Sequence, residues 1–175
     1  MRQQTKKIVR GLAPLFIDHI LISENTIRSL VGEKIEGTDY YILSVDIKPG
    51  NNITVELEGM GPVSISDCVD ISRQIEHNLD RELEDFSLQV TSPGLDKPLK
   101  DFRQYIKNIG RTLKIKLEEG KELEGELLEA GQENIVLQTK TKRRVEGKKK
   151  KELIVEDHVL TYPEIKQAKI KILFK

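Results

Sequence analysis

Apolar residues recur with a period of two from Tyr40 to Glu58. The run "YYILSVDIK" (Tyr40 to Lys48) is rich in β-branched and aromatic residues, "PGNN" follows, and "ITVELE" (Ile53 to Glu58) alternates without a break. Two such runs around a Pro-Gly-Asn turn predict a hairpin, which "GMGP" then ends. Upstream the period changes. Ile8, Leu12, Leu15, Phe16, His19 and Ile20 keep helical spacing from Lys6 to Ile22, with Pro14 as a kink. Ser23 to Gly37 is ambiguous by pattern, with "SENTIRSL" able to cap and begin a short second helical piece. "SISD" places Ser64 as the cap of a second helix, with Asp67 reaching back, and Cys68, Ile71, Ile75 and Leu79 carry that helix to about Arg81. Phe86 to Thr91 is the third strand. The order α-β-β-α-β predicts an α+β domain with two helices on one face of a small sheet.

Beyond Pro98 the rhythm shortens. Phe102, Tyr105 and Ile106 form one helical turn, stopped by Gly110. "TLKIKLEEGKELEGELLEA" alternates on both sides of its "EEGK" turn, and "NIVLQTK", "ELIVEDHVLTY" and "AKIKILF" repeat the pattern. Four or five short strands predict an all-β small barrel of the SH3 or Sm-like type. The expected organisation is an α+β domain over 1–92, a Pro/Gly joint over 93–98 and a barrel over 99–175.

Charge sharpens this division. Up to Lys97 the chain carries 10 Lys and Arg against 16 Asp and Glu, a net of −6; beyond it 19 stand against 13, a net of +6. An acidic module could meet basic proteins while a basic one meets a polyanion. One Cys excludes an internal disulfide framework, and no apolar run approaches the ~18 residues of a membrane helix. "MRQQTKK" leads into an amphipathic pattern and not a leader's apolar core. A soluble, cytoplasmic protein with no membrane partner is expected.

Candidate chemistry is sparse. Ser92 sits in "VTSPGL", but a nucleophile elbow needs Gly-x-Ser-x-Gly with a helix after it, and here Pro93 follows. Pro93 and Gly94 fit the centre of a type II turn instead. Neither a phosphate loop nor the Gly-x-x-Gly clamp of KH domains occurs, although the element order is KH-like. His19, His77 and His158 lie far apart, the first two reading as partly buried helix residues, and Cys68 as a small hydrophobe. Asp67/Asp70 and Glu82/Glu84/Asp85 read as solvated helix faces and ends. No enzyme, metal, cofactor or small-molecule substrate is expected.

The strongest positive signal is "KTKRRVEGKKKK", Lys140 to Lys151, with eight basic residues in twelve. It reads either as a solvated loop or as a hairpin pressing Lys142, Arg143, Arg144, Lys148, Lys149, Lys150 and Lys151 on phosphates. It holds no aromatic residue, so it offers affinity and not base stacking.

"VTSPGLDKPL", then "FxxYIxxxGR" and a strand, closely resembles the RimP ribosome maturation factor family. The matching residues are Ser92, Pro93, Gly94, Leu95, Asp96, Lys97, Pro98 and Leu99, then Phe102, Gly110 and Arg111. "SISDCVDISRQI" and "YPEIKQAKI" are similar to that family's second helix and closing segment. Lys97 stands where the family usually has Arg, which keeps the charge but loses a two-pronged fork, and Ser23 to Gly37 looks like an insertion. The resemblance implies a non-enzymatic assembly factor that binds the immature small (30S) ribosomal subunit through 16S rRNA and a ribosomal protein near the decoding centre, the latter by its C-terminal domain. Lys97 and Arg111 join the basic tract as expected RNA contacts. The rival reading is a general Sm/SH3-like RNA-binding regulator without ribosome specificity.

Overall fold

A computed structural model describes residues 22–144 and 151–172. The helix expected over Lys6 to Ile22 therefore lies almost wholly outside the described residues. The first described helix, α1 (Glu24–Ile35), comes from the stretch that read as an insertion. It is integral to the fold, because Ile27, Leu30 and Val31 recur at helical spacing and are 0–6% exposed. Ser23 caps it by accepting from the Thr26 amide at 3.1 Å.

Strands β1 (Tyr40–Lys48) and β2 (Asn52–Gly59) form the expected antiparallel hairpin, with Gly50 and Asn51 at positive φ in the turn. Helix α2 (Ile65–Asn78) starts with the predicted capping box between Ser64 and Asp67. It ends at Asn78, short of Arg81. Strand β3 (Ser87–Thr91) returns parallel to β2, giving the order β1-β2-β3. Helix α1 lies against β1 and α2 against β3. Ile53, Val55 and Leu57 point into the core beneath the helices, and Thr54, Glu56 and Glu58 occupy the other face.

A bulge in β1 redistributes that second face. Val45 pairs with Val55 and Ser44 with Glu56, but Ile42 pairs with Leu57 and Tyr41 with Glu58. The extra residue, Leu43, reverses the alternation, so Tyr41 shares the acidic face instead of the core beneath α1.

After a short helix α3 (Phe102–Lys107) come β4 (Thr112–Leu117), β5 (Glu122–Ala130), β6 (Asn134–Arg144), β7 (Lys151–Thr161) and β8 (Ile165–Ile170). They form an antiparallel sheet ordered β7-β6-β5-β4-β8. The sheet is not closed: β7 and β8 are its two edges, so the barrel expectation holds only as far as a mostly β region. Leu113, Ile115, Leu127, Ile135 and Leu137, each at most 1% exposed, build a second core. Tyr105 of α3 is buried in it and meets Tyr162 edge-on at 5.2 Å. Gly125 is required where β5 crosses β6, since a Cβ there would lie 2.3 Å from the Gln138 carbonyl oxygen.

Candidate functional site

The joint between the two sheets lines a cleft of about 400 Å³. Ser92, Pro93, Gly94, Leu95 and Lys97 form one wall; Lys107 and Arg111 come from the other side. The turn in the joint sits two residues later than the sequence implies. The Lys97 amide donates to the Gly94 carbonyl at 3.0 Å, which centres the turn on Leu95 and Asp96. Gly94 is not at positive φ. A Cβ there would lie 2.6 Å from an Asp96 carboxylate oxygen, the free end of an exposed side chain that can turn away. Past Pro98, the Leu99 amide donates to the Ala168 carbonyl at 2.9 Å, tying the joint to β8.

A second set of charges closes the space between the sheets. Residues Lys100, Arg103, Gln104 and Lys107 fall at the three- and four-residue spacing of one helical face. That face lies on the acidic side of the N-terminal sheet. Lys100 Nζ meets a Glu56 carboxylate oxygen at 2.8 Å, and Lys107 Nζ donates to Glu58 at 2.7 Å and to the Gly61 carbonyl at 3.1 Å. The buried Gln104 amide donates to Glu58 at 3.3 Å while its oxygen accepts from the Lys100 amide at 2.7 Å. Arg103 forks onto Asp101 with two contacts of 2.8 Å and stacks 3.6 Å above the Tyr41 ring. The Lys100 hydrogen bond holds the Glu56 carboxyl below its usual range, and the Arg103 fork does the same for Asp101. Burial, with Glu58 and Asp101 nearby, pushes the Tyr41 phenol up.

The sequence-derived contact residues are distributed unevenly over this geometry. Lys97 and Arg111 are exposed and share the cleft. No hydrogen bond or ion pair holds either side chain among the described residues. Lys142 is exposed on β6, away from the cleft, where β6 and β7 continue as a two-stranded ribbon after β5 has stopped pairing at Thr139. Arg143, Arg144 and Lys151 belong to that ribbon's backbone; Lys148, Lys149 and Lys150 lie outside the described residues. Asp96 and Pro98 are not part of the cleft lining. His77 is exposed, contrary to the partly buried reading, because it falls on the outer face of α2 away from Ile71 and Ile75. The inter-sheet contacts of α3 were missed entirely. Their signal was present: three cations on one face of "KDFRQYIK", and acids at consecutive outward positions of "ITVELE".

The sequence model of the RimP N-terminal domain matches residues 30–96. A ribosome maturation factor RimP of Christiangramia forsetii is 46% identical over 139 residues, covering 79% of this chain and 90% of its own length. The chain belongs to the RimP family. Proteins of the same name from Flavobacterium psychrophilum, 39% identical over 139 residues, and Porphyromonas gingivalis, 35% identical over 148, cover 79% and 85% of it. A match of 139 residues exceeds the 98 that end at Pro98, so the RimP similarity takes in part of both sheets. The RimP N-terminal match begins inside α1 and ends at Asp96, within the turn of the joint. No helix of the described residues is long and apolar enough to cross a membrane.

Proposed function

We propose that this RimP family member is a non-enzymatic, cytoplasmic maturation factor of the small ribosomal subunit. It acts as two modules, 1–92 and 99–175, joined by 93–98, the second read as an SH3/Sm-like small barrel. It binds the immature 30S particle through 16S rRNA and, by its C-terminal region, a ribosomal protein near the decoding centre. The observation that carries this reading is the 46% identity to a ribosome maturation factor RimP, extended over 139 residues. The electrostatics agree with it. Lys97 and Arg111 stand exposed on one cleft with no side-chain hydrogen bond or close ion pair among the described residues, and Lys142 lies exposed on the ribbon, so the first two can meet a phosphate without first breaking an ion pair.

The test is sedimentation of a cell extract through a sucrose gradient at low and high salt. The protein is expected to travel with free small subunits, to be absent from whole ribosomes, and to leave the particle at high salt. Retention at the top of the gradient at both salts overturns the reading. Neutralising Lys142, Arg143, Arg144 and Lys148 to Lys151 is expected to weaken the association and flatten its salt dependence.

A further inference from the structure

The face of the N-terminal sheet turned away from α1 and α2 is acidic and carries one aromatic ring. Register places Tyr41 beside Glu58, Ser44 beside Glu56, and Asp46 beside Thr54. Everything that α3 and its leading residue set on this face is polar or cationic: Lys100, Arg103, Gln104 and Lys107. The two hydrophobic cores share no residue. The junction is a set of cations laid on carboxylates and a ring.

The fit leaves one group unsatisfied. Tyr41 is 7% exposed, yet its hydroxyl has no hydrogen-bond partner among the described residues. Arg103 covers the ring and spends its fork on Asp101, so it does not serve that hydroxyl. A buried hydroxyl without a partner is unfavourable. A different occupant of this face, able to reach the hydroxyl, would remove that cost.

We propose that the acidic face of β1 and β2 is a docking site for a Lys/Arg-rich segment of a partner protein, and that α3 is its built-in competitor. The partner's cations take the places of Lys107 on Glu58 and Lys100 on Glu56, and an Arg or Lys replaces Arg103 over Tyr41. The exchange preserves the ion pairs on the sheet and releases Lys100 and the two cations of α3, Arg103 and Lys107, for contact elsewhere. An RNA strand does not suit this face, because its phosphates would meet Asp46, Glu56 and Glu58 as like charges. The inference adds a protein partner for the N-terminal sheet and does not depend on which particle carries it.

The test uses the full-length chain and a fluorescein-labelled deca-arginine peptide, read by anisotropy at low salt. The double variant Lys100→Ala/Lys107→Ala is expected to bind the peptide about tenfold more tightly than the parent, a difference of about 1.4 kcal/mol. The control Lys116→Ala/Lys121→Ala removes the same charge from exposed positions of β4 and the turn after it and is expected to change affinity much less. Adding Glu56→Gln and Glu58→Gln to the first variant is expected to abolish the gain. Should the alanine variant fail to fold, Lys100→Met/Lys107→Met keeps the aliphatic stems and carries the same expectation. Equal tightening in variant and control overturns the competitor role, as does no tightening; a gain that survives Glu56→Gln/Glu58→Gln overturns the site.

Discussion

The α3 helix has two sides, and they hold it to the two halves of the molecule by different physics. Toward the C-terminal sheet it contributes Tyr105, buried and packed against Tyr162. Toward the N-terminal sheet it offers Arg103 and Lys107, with Lys100 just ahead of its cap, to carboxylates and a ring. Apolar burial is indifferent to salt and to mild acid, whereas half-exposed ion pairs are weakened by both. The helix therefore belongs to the C-terminal half and is only latched to the N-terminal one. A junction of this kind can open while both cores stay folded.

The hardest test of that separation is a large cavity in one core. Leu127→Ala, at a position 0% exposed, is expected to cost about 2–5 kcal/mol. Hydrogen exchange should show the loss confined to β4–β8, with β1–β3 amides unchanged; equal loss in both would mean that the junction couples the cores. Gly125→Ala forces a methyl against the backbone of β6 and is expected to cost about 1–3 kcal/mol, again in the C-terminal half, by urea denaturation. In the N-terminal half, Ser64→Ala removes the α2 cap and is expected to cost about 1 kcal/mol there alone.

The smallest effect on stability falls on the latch itself. Lys107→Ala breaks a pair whose side chains are 28% and 13% exposed, and is expected to cost under about 1 kcal/mol after solvent screening. Its visible effect is a longer distance between spin labels placed on the two halves. Acid should do the same through Glu56. Its carboxyl titrates below the usual range in the closed form, so its contribution is complete above about pH 4.3 and is lost as pH falls through the depressed value. Labels that separate on acidification, with both cores still protected from exchange, would sharpen the contrast; no separation would break it.

Much of the fold could be read from local pattern because its causes are local. The β1–β2 turn needs only Gly50 and Asn51 at positive φ, and the α2 cap needs only Ser64 and Asp67 three residues apart. Alternation in "ITVELE" and "TLKIKL" assigns buried faces correctly, since a strand exposes its two faces at a period of two. The type II turn expected at Pro93 and Gly94 is replaced by one centred on Leu95 and Asp96, closed by the Lys97 amide on the Gly94 carbonyl, and the Pro-Gly dipeptide alone does not encode which of the neighbouring carbonyls is used. Ser23 to Gly37 read as an addition because its spacing shows a helix but not which surface will receive it.

The chain's own order of residues thus decides its elements, their caps and turns, its uneven charge and its family. Those depend on neighbours a few positions away or on the chain as a whole. The site depends on neighbours 44 to 49 positions apart, such as Glu56 with Lys100 and Glu58 with Lys107. It also depends on one bulge: only when Leu43 shifts the register of β1 does Tyr41 leave the core side and lie under Arg103. Whether β7 and β8 close into a barrel is likewise a matter of where two distant edges end up. Alternation gives each strand a buried face; it carries no information about which edge stays unpaired, because hydrogen bonding across a sheet runs perpendicular to that pattern.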